Sequence, residues 1–294
     1  MISIFTPTYN RAELLAVLKE SIDAQTDKDF EWIIVDDGST DDTEKIVETW
    51  MGQENSYSLR YIHQKNQGKH IAFNTALSQA TSEWFICVDS DDHLVNDAVA
   101  IMNDDTKKVP KECVGAVYPS KLTGFDNEAK WKSLDNKKVD IMDLKVEYNI
   151  PESVILMKKS EISDLKFPQI EGEKFVPEGW LYQKLIKRGK FLVHNKAFYI
   201  AEYQPNGLTR NVWKLWAKNS TGVLVTLCEK YRMLEKYPLK TRAVEKIKCI
   251  ININTICMEA RKNILAESPA PLFSTVLMIP SLYYHKKRFG QEHK

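Results

Sequence analysis

The sequence predicts an α/β protein: a doubly wound, mostly parallel sheet with helices on both faces, followed by a helical C-terminal region. Three observations predict it. Through the first 92 residues, short apolar runs alternate with amphipathic helical ones over short connections, the βαβ order that parallel sheets require. Three of those strands end in polar clusters: Thr6-Pro7-Thr8-Tyr9-Asn10, Asp36-Asp37-Gly38-Ser39 and Asp89-Ser90-Asp91-Asp92. Past Arg210 the pattern changes to long helical periodicities, which sets the expected boundary between an α/β domain over 1–210 and a helical region over 211–294.

Residues 2–6 form a short apolar strand. Residues 12–24 show helical spacing through Leu14, Leu15, Leu18 and Ile22. Residues 31–35, Glu-Trp-Ile-Ile-Val, read as a buried strand ended by an Asp-Asp-Gly-Ser turn. Asp41 or Asp42 then caps a helix carrying Ile46, Val47 and Trp50. Residues 58–63 read as a strand, 68–80 as a helix with Ile71, Ala72, Thr75, Ala76 and Gln79, and 85–88 as the next strand. The stretch 113–202 is less regular, with strands at 114–118 and 153–157. A loop from Glu171 leads into a helix after Glu178, and strand character resumes at 191–203. Long helical patterns follow around 212–234 and 240–265, and no internal repeat or low-complexity segment is present.

A chain of 294 residues can bury a substantial core in one domain, or in one domain with an appendage. The formal net charge of +1 gives no global field for gripping nucleic acid. Five cysteines without CxxC spacing point to buried reduced thiols and a reducing, cytoplasmic setting. The Met-Ile-Ser-Ile-Phe start lacks the basic region of a signal peptide, and no apolar run reaches the length of a membrane span. The nearest approach is the stretch from Pro271 to Tyr284, followed by His285-Lys286-Lys287-Arg288. Such a tail is expected either to touch the inner face of the cell membrane or to pack in a homodimer.

The run Trp-Phe-Ile-Cys-Val ends abruptly in Asp89-Ser90-Asp91-Asp92. In an extended chain Asp89 and Asp91 share a face, and two like charges side by side call for something positive between them. A hard divalent cation shared with substrate phosphates answers that need. An acidic turn with Asp92 or Asn96 as helix cap answers the same residues, and taken alone they leave both readings open. Doubly wound sheets bind ligands at the carboxyl ends of their strands, so a parallel sheet would bring all three polar clusters to one edge.

Together these residues resemble family 2 glycosyltransferases of the GT-A fold. The matching pieces are Phe5-Thr6-Pro7-Thr8-Tyr9-Asn10-Arg11, Val35-Asp36-Asp37-Gly38-Ser39-Thr40-Asp41, Asn66-Gln67-Gly68-Lys69-His70 with Asn74, and Val88-Asp89-Ser90-Asp91-Asp92. The resemblance runs from Met1 to about Arg210 and is strongest through Asp92. It implies a catalytic domain that transfers a sugar, with inversion, from a nucleotide-sugar donor such as a UDP-sugar to an acceptor hydroxyl. The implied setting is bacterial surface-polysaccharide synthesis on a glycan or lipid-linked acceptor. Pro7 and Tyr9 would line the nucleobase and ribose pocket, Asp37 would accept from the uracil N3–H, and Asp36 would support the turn. Lys69, Ser90 and Arg210 would join the nucleotide site. Asp89 and Asp91 would hold Mn²⁺ or Mg²⁺ against the diphosphate, with Asp91 the most direct ligand and His194 a further one. The family's usual Glu-Asp pair is broken here as Glu178-Gly179, which leaves Glu178 as the candidate base and Glu171 and Glu173 as alternatives. Two rivals fit the same architecture: a nucleotidyltransferase, although no Gly-rich phosphate loop follows the first strand, and a non-catalytic sugar-nucleotide-binding module.

Overall fold

A computed structural model describes residues 1–122, 127–202 and 211–290. The chain forms two compact units, Met1–Phe167 with Lys184–Gln204, and Pro168–Gln183 with Pro205–Lys294.

The first unit opens with β1 (Ile2–Thr8), α1 (Ala12–Asp23), β2 (Phe30–Asp36), α2 (Thr43–Met51), β3 (Ser58–His63), α3 (Lys69–Gln79) and β4 (Trp84–Cys87), each within two residues of its sequence-based bounds. It continues through β5 (His93–Leu94), α4 (Ala98–Thr106), β6 (Cys113–Tyr118), β7 (Ser120–Leu122), α5 (Glu128–Leu134), β8 (Lys138–Val139), α6 (Ile141–Val146) and β9 (Val154–Lys158). After α7 (Gly179–Leu185) come β10 (Lys190–Val193) and β11 (Tyr199–Ala201). Eight strands make one sheet in the order β3-β2-β1-β4-β9-β6-β10-β8, and β5, β11 and β7 make a smaller one. β1 to β4 run parallel, whereas β9 runs against both β4 and β6.

β1 and β2 are buried along nearly their whole length because helices cover both faces, so they read as continuous apolar runs rather than alternating ones. The core gathers Ile4, Leu15, Leu18, Trp32, Ile34, Ile86 and Tyr118. Glu31 adds a buried charge to this sheet. The Glu31 carboxylate is fully buried, and its Oε1 accepts from the Ser3 hydroxyl at 2.6 Å and from the amides and hydroxyls of Thr81 and Ser82. Burial pushes this carboxyl up, but the hydrogen bonds outweigh it and leave the group below its ordinary 4.5. A depressed carboxylate stabilises the fold above its unfolded value and loses that contribution as pH falls through the folded one. Glu31→Gln is therefore expected to cost about 2 kcal/mol or more at pH 7 and to flatten the acid limb of the melting temperature below about pH 4.5. Thermal melts from pH 3 to 7 check this, and parallel curves for the two proteins would contradict it.

The second unit holds α8 (Val212–Lys218), α9 (Ser220–Met233), α10 (Leu239–Glu259), α11 (Ile264–Glu267), α12 (Pro271–Val276) and α13 (Met278–Phe289). Its core is Val223, Leu224, Leu227, Ile250, Ile253 and Ile256, with Phe175, Trp213, Phe273 and Leu277 packed against it. The single helical pattern expected over 212–234 is broken at Asn219, whose Oδ1 accepts from the Lys174 amide while its Nδ2 donates to the Leu215 carbonyl. None of the five cysteines forms a disulfide, and four are buried. Among the described residues, no helix is long and apolar enough to cross a membrane.

Candidate active site

The strand order places the site. The chain winds outward from β1 through β2 to β3, then returns to lay β4 on the other side of β1. Ligands of such sheets bind at a reversal of this kind, here the carboxyl ends of β1 and β4. The three polar clusters follow β1, β2 and β4, and backbone bonds hold them side by side. The Asp37 amide donates to the Thr8 carbonyl at 2.9 Å, and the Val88 amide donates to the Phe5 carbonyl at 2.8 Å. Side chains tie the exits further. The Asn10 amide donates to Ser39 Oγ, Asn10 Oδ1 accepts from the Thr40 amide, and Asp41 Oδ2 accepts from the Ala12 amide. Pro7 is half-buried, and Tyr9 is exposed at the end of β1.

Asp36 and Asp37 point inward and brace this edge. Asp36 is fully buried; its Oδ1 accepts from the Ser39 amide at 2.7 Å and its Oδ2 from the Tyr61 hydroxyl at 2.7 Å. Asp37 Oδ1 accepts from Gln64 Nε2 and the Gln67 amide, and its Oδ2 from the Gly68 amide at 2.7 Å. A carboxylate offers about four acceptor positions, so one remains. Gly38 has φ +83°, and a Cβ there would meet the Asn66 amide nitrogen at 2.9 Å, so both conformation and close approach demand glycine.

Among the described residues, a basic side chain holds each of the two leading carboxylates after β4. Lys69 Nζ, at the start of α3, lies 2.7 Å from Asp89 Oδ1 and 2.9 Å from Oδ2. Arg11 Nη1, from the end of β1, lies 2.9 Å from Asp91 Oδ1 and donates a longer bond, 3.4 Å, to Ser90 Oγ. Asp92 is neither a helix cap nor a free charge. Its carboxylate accepts from the Tyr199 hydroxyl and the Glu202 amide, while the Tyr199 hydroxyl accepts from the Asp89 amide at 3.2 Å. Burial pushes the Asp92 carboxyl up to about 6, and the charges of Asp89 and Asp91 push the same way against those hydrogen bonds. The residue in the cap position of α4 is Asp97, not Asp92 or Asn96.

The other expected site residues have their own surroundings. His194 is buried at the end of β10, stacked on Tyr118, with Nδ1 3.9 Å from Asp105; burial holds its ring below the ordinary 6.5 against the pull of Asp105. Glu178 belongs to the second unit, just before α7, where its Oε2 accepts from the Tyr182 hydroxyl at 2.9 Å. Glu173 accepts from the Thr221 and Gly222 amides and so satisfies the first turn of α9, and Glu171 is exposed. Arg210 lies outside the described residues. Among the described residues, no three His, Cys, Asp or Glu side chains are grouped to hold a metal ion.

Sequence reasoning missed Arg11, Gln64 and Tyr199 as site residues. Arg11 ends the first quoted motif, and its basic charge one residue past a strand-end cluster was the available signal. Nothing local marked Tyr199, whose hydroxyl works 110 residues away from Asp89.

Residues 3–160 match the family model described as glycosyl transferase family 2. The chain is 27% identical over 238 residues to the GalNAc(5)-diNAcBac-PP-undecaprenol beta-1,3-glucosyltransferase of Campylobacter jejuni, covering 80% of this chain and 74% of that one. Among solved structures it is similar to S. aureus TarS 1-349 in complex with UDP-GlcNAc, at a TM-score of 0.58 and 18% identity, over 100% of this chain and 93% of that one. It spans 56% of the longer TarS chain. It is also similar to the Pyrobaculum calidifontis mannosyltransferase in complex with GDP-Man and Mn²⁺, at a TM-score of 0.58 and 16% identity, over 98% and 83% of the two chains. These structural likenesses show the fold. The match across both halves of the eight-stranded sheet, with its strand-end clusters, settles the family: the chain belongs to glycosyl transferase family 2 and is a glycosyltransferase with a GT-A fold.

Proposed function

We propose that this glycosyltransferase moves a sugar from a UDP-sugar to an acceptor hydroxyl with inversion at the anomeric carbon, using a divalent cation, in bacterial glycan synthesis. One observation supports this reading above the rest. At the reversal point of the sheet, Asp89 and Asp91 are each paired with a cation, Lys69 and Arg11. The four groups are nearly neutral together, and their pairing can be exchanged. An incoming diphosphate gives Lys69 and Arg11 new anionic partners, which frees the two carboxylates for a metal.

The donor set fits that metal. Two carboxylates with substrate phosphate oxygens are a common way to hold Mg²⁺, and Mn²⁺ accepts the same oxygen ligands. Asp89 and Asp91 would hold it. His194 is left out, because its neighbours are Asp105 and Tyr118. A bound divalent ion would offset the negative charge that develops on the departing diphosphate. The remaining roles fall to the chain itself. Tyr9 is exposed for stacking on a nucleobase, and the open acceptor position of Asp37 suits a uracil N3–H. Tyr199 and Asp92 position the Asp89 loop.

In the transfer step the anomeric C–O bond to the diphosphate breaks, its electron pair leaving with the nucleotide. The acceptor oxygen bonds to the same carbon from the opposite face and gives up its proton. Glu178 is the proposed base, on its place before α7 and because Glu173 is committed to the start of α9. The Campylobacter jejuni relative is named for an undecaprenol-diphosphate-linked glycan, and a lipid-linked glycan is the acceptor class proposed here.

Release of nucleoside diphosphate from a panel of UDP-, GDP- and dTDP-sugars, with Mn²⁺, Mg²⁺ or EDTA, tests the reading. A UDP-sugar should be turned over only when a divalent cation is present. Turnover that is unaffected by EDTA, or confined to another nucleotide, would contradict it.

A further inference from the structure

The last two helices of the second unit are held by a mixed inward side. Phe273 of α12 and Phe289 of α13 pack against the core, and small polar residues lie beside them. Ser274 of α12 and Ser281 of α13 are fully buried, and Asn254 of α10, also fully buried, donates to the Ser274 carbonyl at 3.0 Å and to Ser281 Oγ at 3.1 Å. Ser274 Oγ donates to Ser268 Oγ at 2.6 Å. These bonds fix both helices on α10 with a chosen rotation. The rotation turns Leu272, Val276 and Ile279 outward, at 86%, 73% and 82% exposure, beside exposed Leu282 and Tyr283. Scattered exposed apolar residues need no account, but a strip of five on two consecutive helices does.

The charges beside the strip say what covers it. From Ser268 to Gly290 there is no acidic residue. Of the basic run His285-Lys286-Lys287-Arg288, two side chains face inward: His285 pairs with Glu259, and Arg288 lies 3.5 Å from the Trp213 ring centre while donating to Thr255 Oγ1 and Asn252 Oδ1. Arg288 is therefore a structural tie within the unit. Lys286 and Lys287 remain exposed next to Leu282 and Tyr283. A second copy meeting this face symmetrically would bring apolar strips together but supply only more cations. An anionic bilayer supplies both a hydrocarbon boundary for the strip and phosphate charge for the lysines.

We infer that the outward face of α12 and α13 docks on an anionic lipid surface, with Leu272, Val276 and Ile279 entering the headgroup boundary and Lys286 and Lys287 pairing with lipid phosphate. The docking is reversible and weakens with salt, because it rests on a few side chains and two exposed charges.

Co-sedimentation with phosphatidylcholine vesicles, with and without one part in five phosphatidylglycerol, tests it on the full chain. The native protein should sediment with the anionic vesicles and be released by 0.5 M salt. Leu272→Ser with Ile279→Ser should weaken binding roughly a hundredfold, and Lys286→Glu with Lys287→Glu roughly tenfold or more. Both double variants alter exposed positions, so melting temperature and UDP release should stay at the native level, which separates this inference from the proposed reaction. Native protein that stays in the supernatant with both vesicles, or variants that sediment as well as native, would overturn it. So would a dimer in analytical ultracentrifugation that Leu272→Ser with Ile279→Ser dissociates while vesicles capture nothing, which would assign the face to a second copy.

Discussion

Asp91→Asn is expected to abolish cation-dependent UDP binding and to lower transfer by about a hundredfold or more, since charge stabilisation of a leaving diphosphate is worth several kcal/mol. Asparagine keeps the size of the side chain and removes its charge. The fold should hardly notice. Arg11 loses its partner, but it is partly exposed and can turn to water, so the stability change should stay within about 1 kcal/mol. Isothermal titration with UDP, with and without Mn²⁺, reads the binding, and a thermal melt reads the fold. A variant that still binds UDP more tightly with Mn²⁺ than without would remove Asp91 from the cation site.

Glu178→Gln is expected to keep donor binding and lower kcat by ~10²–10⁴-fold, the usual contribution of one proton-transfer group. The neighbouring glutamates provide the contrast. Glu173→Gln withdraws a charged acceptor from the Thr221 and Gly222 amides at the start of α9, so its effect should appear as lost stability. Glu171 is exposed, and Glu171→Gln should be silent. Single-turnover kinetics on the three variants, alongside their melting temperatures, distinguish these roles. Normal transfer in Glu178→Gln together with a dead Glu171→Gln would move the base.

The first half of the fold was legible because its cues are local. The apolar runs of β1, β2 and β4 and the spacing of Leu15, Leu18 and Ile22 in α1 report burial directly, and each strand end announces itself by a change to Asp, Asn or Thr. The line-up of those ends followed from parallel topology alone. What stayed hidden depends on pairs distant in sequence. A strand at 153–157 was readable, but not that it would run antiparallel between β4 and β6. The two-residue strand β5 forms by pairing with β11, which also pairs with β7, and this small sheet carries Tyr199 to Asp92 and the Asp89 amide. The Arg11–Asp91 and Lys69–Asp89 pairs likewise required the sheet to be assembled first. The break at Asn219 and the stop of α10 near Arg261, which has φ 54°, are set by contacts and backbone conformation that a helical periodicity does not encode.

In the proposed reaction, nucleotide and cation enter by exchanging partners with the Lys69–Asp89 and Arg11–Asp91 pairs. A crystal of the protein grown with UDP and Mn²⁺, measured for manganese anomalous scattering, tests it most directly. A single strong peak is expected against the Asp91 and Asp89 carboxylates, with Lys69 and Arg11 turned to the diphosphate. Bound UDP with both ion pairs intact, or a manganese peak away from those two carboxylates, would contradict it.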